Sequence, residues 1–319
     1  MPELKNITVV GAGLMGHGIA QAFAQHGLPV TLYDLSEELL AKALASIKEN
    51  LGTFVEMGLE TPEGAAQALE RISSTTSLPS ALQKADFVTE AAPENLELKQ
   101  ELFAQMDRHA PERAILASNT SMLSISRFGS QVRDQGRLII THWFNPPHIV
   151  PVVEVVMGQG TSEQTKEGVF ELLGGIGKTP VLVNKEIPGF LVNRIQTAMF
   201  REVLSLLEMG VASAEDIDRA ISGSFGLRLS VQGVLRTMDL AGLDLMLKGC
   251  SYLFGHIAGG TEAPEVLRQK VAKGELGAKT GQGFFRYAEA TLGAGDDPPG
   301  KTRDKALLTI LKALQEGKA

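Results

Sequence analysis

At 319 residues, 44% hydrophobic and 21% charged, the chain has the length for two cores and the composition of an ordinary globular protein. Its net charge of −7, with no block of Lys or Arg to offset it, argues against nucleic acid as a partner. The single cysteine, Cys250, rules out a disulfide framework and a cysteine-cluster metal site and fits a reducing, cytoplasmic setting; no secretory leader is expected, and no apolar run reaches the ~18 residues of a membrane span.

The first third alternates β-rich runs with helical patterns. Asn6–Val10 (NITVV) reads as a buried strand and Met15–Gly27 as a helix closed by a glycine. Pro29–Asp34 is a second strand, and Ser36–Gly58 a long amphipathic helix with Ser36 as its N-cap. Strands over Asp86–Pro93 and Ala114–Ser121 flank a helix over Asn95–Ala110. This order predicts an α/β, Rossmann-like, doubly wound and mostly parallel sheet.

Between the first strand and its helix lies GAGLMG, where Gly11, Gly13 and Gly16 match G-x-G-x-x-G around Leu14 and Met15. Such a loop lets a pyrophosphate approach the backbone, with the free N–H groups of the helix start facing it. Asp34, ending the second strand, supplies a carboxylate for the ribose hydroxyls and would repel a 2′-phosphate, which predicts NAD. The alternative is a glycine-rich turn without a cofactor.

After IPGF the pattern turns helical. Helices are expected over Phe190–Gly210, Ala214–Ser222 and Arg236–Phe254, then a linker over Gly293–Thr302 and a terminal helix over Arg303–Glu316. The predicted organisation is a Rossmann domain over 1–187 and an all-α domain over 188–319. The wide apolar faces of that second domain predict a homodimer.

The chemistry is sought in THWFNPPHIVPVVEV. Oxidation of an alcohol needs a base for the hydroxyl proton, and histidine titrates near working pH. His142 ends one apolar run, a Pro-Pro turn follows, and Glu154 sits within VVEVV. A carboxylate there needs a partner if it is buried, and His142 is the candidate. Read from spacing alone, a structural histidine and a solvent-facing glutamate stand as the other possibility. His148 reads as turn surface or substrate rim.

The motifs ITVVGAGLMGHGIAQAFAQHG, ADFVTEAAPENLELKQELF, ASNTSMLSIS, THWFNPPHIVPVVEV, IPGFLVNR and GAKTGQGFFRY, in this order over most of the chain, resemble those of the L-3-hydroxyacyl-CoA dehydrogenases. The resemblance implies an NAD-dependent enzyme of fatty acid metabolism. It makes His142 the catalytic base, Glu154 its orienting partner, and Ser121 and Asn193 the groups that hydrogen-bond the reacting oxygen. It sets Glu94 and Lys99 at the nicotinamide-ribose end of the cofactor site, with Asn119 of SNTS beside them. From the residues alone, Ser121 or Ser124 can also be read as a helix cap, Asn193 as a solvated helix residue (unless Phe190 and Ile195 turn to the core), and Lys99 as surface charge. A substrate is expected to enter between the domains.

The turn also departs from the common family pattern HFFNPVPVMKLVEV, and the stretch before GLD lacks the common proline. In these respects the chain is similar to the lambda-crystallin/gulonate and carnitine dehydrogenases. Where CoA-binding relatives place a Ser and a Lys on the helix after the second strand, this chain has Asn50 and Met57. The expected substrate is an L-3-hydroxyacyl-CoA, with a free 3-hydroxy acid as the alternative. A non-catalytic, crystallin-like NAD-binding protein is the reading outside enzymology. The helix lysine of 6-phosphogluconate-type dehydrogenases is missing, since Asn193 and Arg194 stand there. No metal site is expected.

Overall fold

Short apolar runs bounded by turn residues form the strands β1 (Ile7–Val10), β2 (Val30–Tyr33), β3 (Ile72–Thr75), β4 (Phe87–Glu90), β5 (Ile115–Ser118), β6 (Leu138–Trp143), β7 (Val152–Val156) and β8 (Thr179–Val183). This is a computed structural model that describes residues 4–287 and 299–316. The strands make one sheet in the order β3-β2-β1-β4-β5-β6-β7-β8. Every neighbouring pair is parallel except β6–β7, which is antiparallel.

Helices α1 (Gly16–Gln25), α2 (Glu37–Glu56), α3 (Pro62–Glu70), α4 (Leu78–Leu82), α5 (Leu96–His109), α6 (Ile125–Phe128) and α7 (Glu163–Gly175) pack on the two faces of the sheet. Their starts are set by side-chain caps: Leu39 N donates to Ser36 Oγ at α2, and Leu98 N to Asn95 Oδ1 at α5. Two cores result, one on each face. Val9, Phe23, Leu32, Ile47, Ile139 and Trp143 lie in one, and Val10, Val88, Phe103, Phe128, Ile140 and Phe190 in the other. Every residue of β1, β4 and β5 is buried, as in a sheet covered on both faces, which is why these strands show no alternation of apolar and exposed polar positions. Phe23 meets Trp143 edge-on with ring centroids 5.6 Å apart, a geometry that contributes about 0.5–1.5 kcal/mol beyond area burial.

The chain divides into two compact units. The first comprises Met1–Arg194 with Asp304–Thr309, the second Ile195–Arg303 with Ile310–Ala319. From α8 (Val192–Glu208) onward the main elements among the described residues are helices, including Ala214–Ile221, Val234–Ala241, Leu243–Leu253, Glu265–Ala272 and Pro299–Glu316. The fold is therefore α/β with a helical C-terminal part, as expected. One expectation needs correction. The helix expected over Arg236–Phe254 is broken at Gly242, whose φ of +95° lies outside the helical region. Of the two residues on which the orientation of Asn193 was made to depend, Phe190 is buried and Ile195 exposed. Of the expected linker Gly293–Thr302, residues 293–298 lie outside the described residues, and residues 299–302 already belong to the last helix. No helix among the described residues is long and apolar enough to cross a membrane.

Candidate active site

The antiparallel pairing of β6 with β7 sets His142 directly opposite Glu154. Cross-strand partners share one face of a sheet, so both side chains enter the same space. His142 Nδ1 lies 2.7 Å from Glu154 Oε2. Glu154 is fully buried, and its other oxygen accepts from Leu191 N at 3.0 Å and Val192 N at 2.7 Å. These are the first amides of α8, where a helix favours negative charge. A buried carboxylate thus has three donors, which offsets the several kcal/mol that an uncompensated one would cost. An acceptor at Nδ1 fixes the imidazole as the Nδ1–H tautomer and leaves the Nε2 lone pair for another donor. Ser121 Oγ is that donor, 3.1 Å from Nε2. Phe144 and Phe190 wall the imidazole, with ring centroids at 4.7 Å and 5.6 Å. Phe190 holds a φ of +48°, uncommon for a bulky residue, in the segment that brings the α8 amides to Glu154.

The SNTS loop carrying Ser121 is braced from below. Glu94 accepts from Ser121 N and Met122 N, both at 3.1 Å, and from Thr120 Oγ1. Burial pushes the Glu94 carboxyl up, but Thr120 and the nearby Lys99 ammonium outweigh it and hold the group below its ordinary range. Lys99 is not surface charge. It is 1% exposed, with its ammonium on both oxygens of Glu90 at 2.7 Å and 2.9 Å and 3.4 Å from Glu94. Asn119 Oδ1 accepts from Trp143 N at 2.8 Å, tying the end of β5 to the residue after His142. Ser124, not Ser121, occupies the N-cap position of α6, without a side-chain cap bond. Asn193 lies on the first turn of α8, next to the amides held by Glu154. Among the described residues no hydrogen bond from its side chain joins it to His142 or Ser121.

The glycine loop fits a dinucleotide. At Gly16 a Cβ would lie 1.7 Å from Gly11 O, so only glycine lets α1 start so close to the loop. At Gly13 a Cβ would meet nothing within 4 Å, which leaves space in front of the loop. Leu14 points outward, and Met15 at the N-cap of α1 makes no side-chain cap bond. His17 N donates to Gly13 O at 3.2 Å, and no side chain caps the helix start, where an anion is favoured. Asp34 stands at the far side of this loop, accepting from Ala12 N at 2.7 Å and Leu35 N at 2.6 Å. No His/Cys/Asp/Glu group among the described residues is built to hold a metal.

Two buried ionisable positions escaped the sequence reading. Glu90, fully buried at the end of β4, ties Lys99, Ser118 Oγ (2.5 Å) and Ala92 N (2.6 Å) together beneath the loop. Its signal was an acid ending an apolar strand with a lysine nine residues on, the kind of signal that singled out Glu154. Lys178 gave no signal. It is nearly buried, and burial pulls its ammonium down to about 8.

A family model for the 3-hydroxyacyl-CoA dehydrogenase NAD-binding domain matches residues 6–187, and one for the 3-hydroxyacyl-CoA dehydrogenase C-terminal domain matches residues 189–287. The mitochondrial hydroxyacyl-coenzyme A dehydrogenase of Rattus norvegicus is 37% identical over 292 residues, covering 89% of this chain and 91% of its own length. Among solved structures, the (S)-3-hydroxybutyryl-CoA dehydrogenase PaaH1 of Ralstonia eutropha aligns with a TM-score of 0.74 and 38% identity over 90% of this chain and 100% of its own. The NAD-dependent 5-formyl-3-hydroxy-2-methylpyridine 4-carboxylic acid 5-dehydrogenase aligns with a TM-score of 0.90 and 30% identity over 98% of this chain and 99% of its own.

Proposed function

The chain belongs to the 3-hydroxyacyl-CoA dehydrogenase family of NAD-dependent oxidoreductases, and from that premise we propose that it oxidises an L-3-hydroxyacyl-CoA to the 3-oxoacyl-CoA with His142 as the base. Gly11, Gly13, Leu14, Met15 and Gly16 would hold NAD, with Asp34 toward its adenosine ribose, and the cofactor would supply the hydride acceptor. His142 Nε2 takes the hydroxyl proton. Glu154 holds Nδ1–H, keeps the imidazole in the accepting tautomer, and stabilises the imidazolium once the proton has arrived. Ser121 and Asn193 hydrogen-bond the reacting oxygen. Glu94 and Asn119 serve the nicotinamide-ribose end, and Lys99, buried below, acts there through Glu94.

One observation carries this reading. The relay Ser121–His142–Glu154 ends on the amides of α8, inside the unit that also holds the dinucleotide loop. A hydrolase would use the same three residue types, but it needs free N–H groups beside the serine for an oxyanion. Here Ser121 N and Met122 N are both taken by Glu94.

A second reading, a free hydroxy acid as substrate, is favoured at the positions where CoA-binding relatives place a Ser and a Lys. Asn50 Nδ2 is engaged with Gln21 Oε1 at 3.0 Å, and Met57 is the C-cap of α2. The near full-length likeness to the pyridine carboxylate enzyme points the same way. An NADH-absorbance assay decides between them, offering acetoacetyl-CoA, acetoacetate, L-gulonate, carnitine and a hydroxymethylpyridine carboxylate with the matching cofactor form. Turnover of the thioester supports the first reading. Turnover of a free acid alone moves the protein to the second, and failure with every substrate rejects both.

We also propose a cytoplasmic homodimer. In the second unit Leu243, Leu247 and Phe254 are 60–70% exposed, among other large apolar residues. Large apolar side chains exposed in this way are what a second copy of the chain would cover. Sedimentation at micromolar protein should give twice the 34.1 kDa chain mass; a one-chain mass would reject the dimer.

A further inference from the structure

Eight residues, 144–151, join the strand bearing His142 to the strand bearing Glu154. A connection of this length does not enforce strand register by its own geometry, as a two-residue hairpin does. Register nevertheless decides the site, because a slip by one residue turns Glu154 to the opposite face of the sheet. The connection is poor in donors: Pro146, Pro147 and Pro151 have no N–H. The amides of Ile149 and Val150 are spent locally on Pro146 O, at 3.0 Å and 2.9 Å. Its hold must come from outside.

Lys178, entering β8, supplies that hold. Its ammonium donates to Pro147 O and to Val150 O, both at 2.8 Å, so it grips the turn near each end. The next residue adds a third bond, Thr179 N to Pro151 O at 2.8 Å. The same ammonium sits 5.4 Å from the ring centroid of Trp143, the neighbour of His142 on β6. Successive strand residues face opposite sides, and Trp143 belongs to the core behind the sheet. Lys178 therefore works from the face opposite the His142–Glu154 pair.

We propose that Lys178 is a positioning residue for the His142–Glu154 pair, locking from behind the sheet the connection between the two strands and, through it, their register. The inference rests on the reading of that pair as the base. Its test compares Lys178→Met, Lys178→Arg and Lys178→Gln in the full-length protein by kcat, KM for NAD, thermal midpoint and the downfield proton NMR signal of the His142 Nδ1–H, identified by its loss in His142→Gln.

Lys178→Met should lower kcat about 10- to 100-fold, the scale of a small misplacement of catalytic groups. KM for NAD should stay unchanged and the downfield signal should shift or broaden. Lys178→Arg, which keeps a charge and several donors, should recover most of the rate. A Lys178→Met protein with a lowered midpoint but wild-type kcat and an unmoved signal would overturn the proposal, since the lysine would then be structural only. If the methionine variant does not fold, Lys178→Gln carries the same comparison: reduced kcat supports the proposal and wild-type kcat overturns it. Full turnover by His142→Gln would instead overturn the underlying reading of the pair, whatever the lysine variants do.

Discussion

His142→Gln should lower turnover by about 10²- to 10⁴-fold, the range that a positioned general base contributes, while NAD binding stays near that of the unaltered protein. A glutamine amide still reaches a carboxylate partner, so Glu154 keeps a donor besides Leu191 N and Val192 N. The loss should therefore be one of proton transfer rather than of folding. The cofactor loop and Asp34 belong to other parts of the sheet, and among the described residues none of them is hydrogen-bonded to the imidazole. The measurement is the initial rate of NADH formation, set beside an NAD titration by protein fluorescence. Ser121→Ala, which removes a donor to Nε2 but leaves the base, should cost less. Near-normal rates for His142→Gln, or a larger loss for Ser121→Ala, would remove the histidine from its central role.

Lys99→Met should lower the thermal midpoint by roughly 10 °C, from about 3–5 kcal/mol of lost stability in a unit of this size. The physical reason is asymmetry. Lys99 and Glu90 are 1% and 0% exposed, and the pair bonds at 2.7 Å. Removing only the cation strands a carboxylate in the interior, with Ser118 Oγ and Ala92 N as its remaining donors. The double variant Glu90→Gln/Lys99→Met leaves no buried charge unmatched and should recover part of the midpoint. This comparison also decides what the lysine does. A normal midpoint with a weakened NAD titration would make it a direct cofactor ligand instead of the brace under Glu94.

The parts read most directly from the sequence were those governed by local spacing. The glycine loop, the strand–helix alternation and the cap at Ser36 depend on residues close together in the chain, and the acid pairing with the loop ends the very next strand. Their chemistry is complete before the chain folds. The helix break at Gly242 was legible in principle but was outvoted by the apolar periodicity on either side of it.

The functional site was legible as an inventory and not as an arrangement. An acid inside VVEVV announces that something must meet it, but periodicity does not tell which group does. The antiparallel step between β6 and β7, in a sheet otherwise parallel, puts His142 opposite Glu154. The approach of α8 then gives that carboxylate its second and third donors from 37 and 38 residues away. Lys99 looked like surface charge because nothing nearby in the chain says that α5 lies against the end of β4. Lys178 was silent because its partners are backbone carbonyls, which every residue carries. The sequence by itself determined which elements form and that a dinucleotide loop opens the first unit, since these follow from short-range sterics and hydrogen-bonding. Only the tertiary structure decided which ionisable groups meet, because burial and pairing of charges are properties of strands and helices brought together from distant parts of the chain.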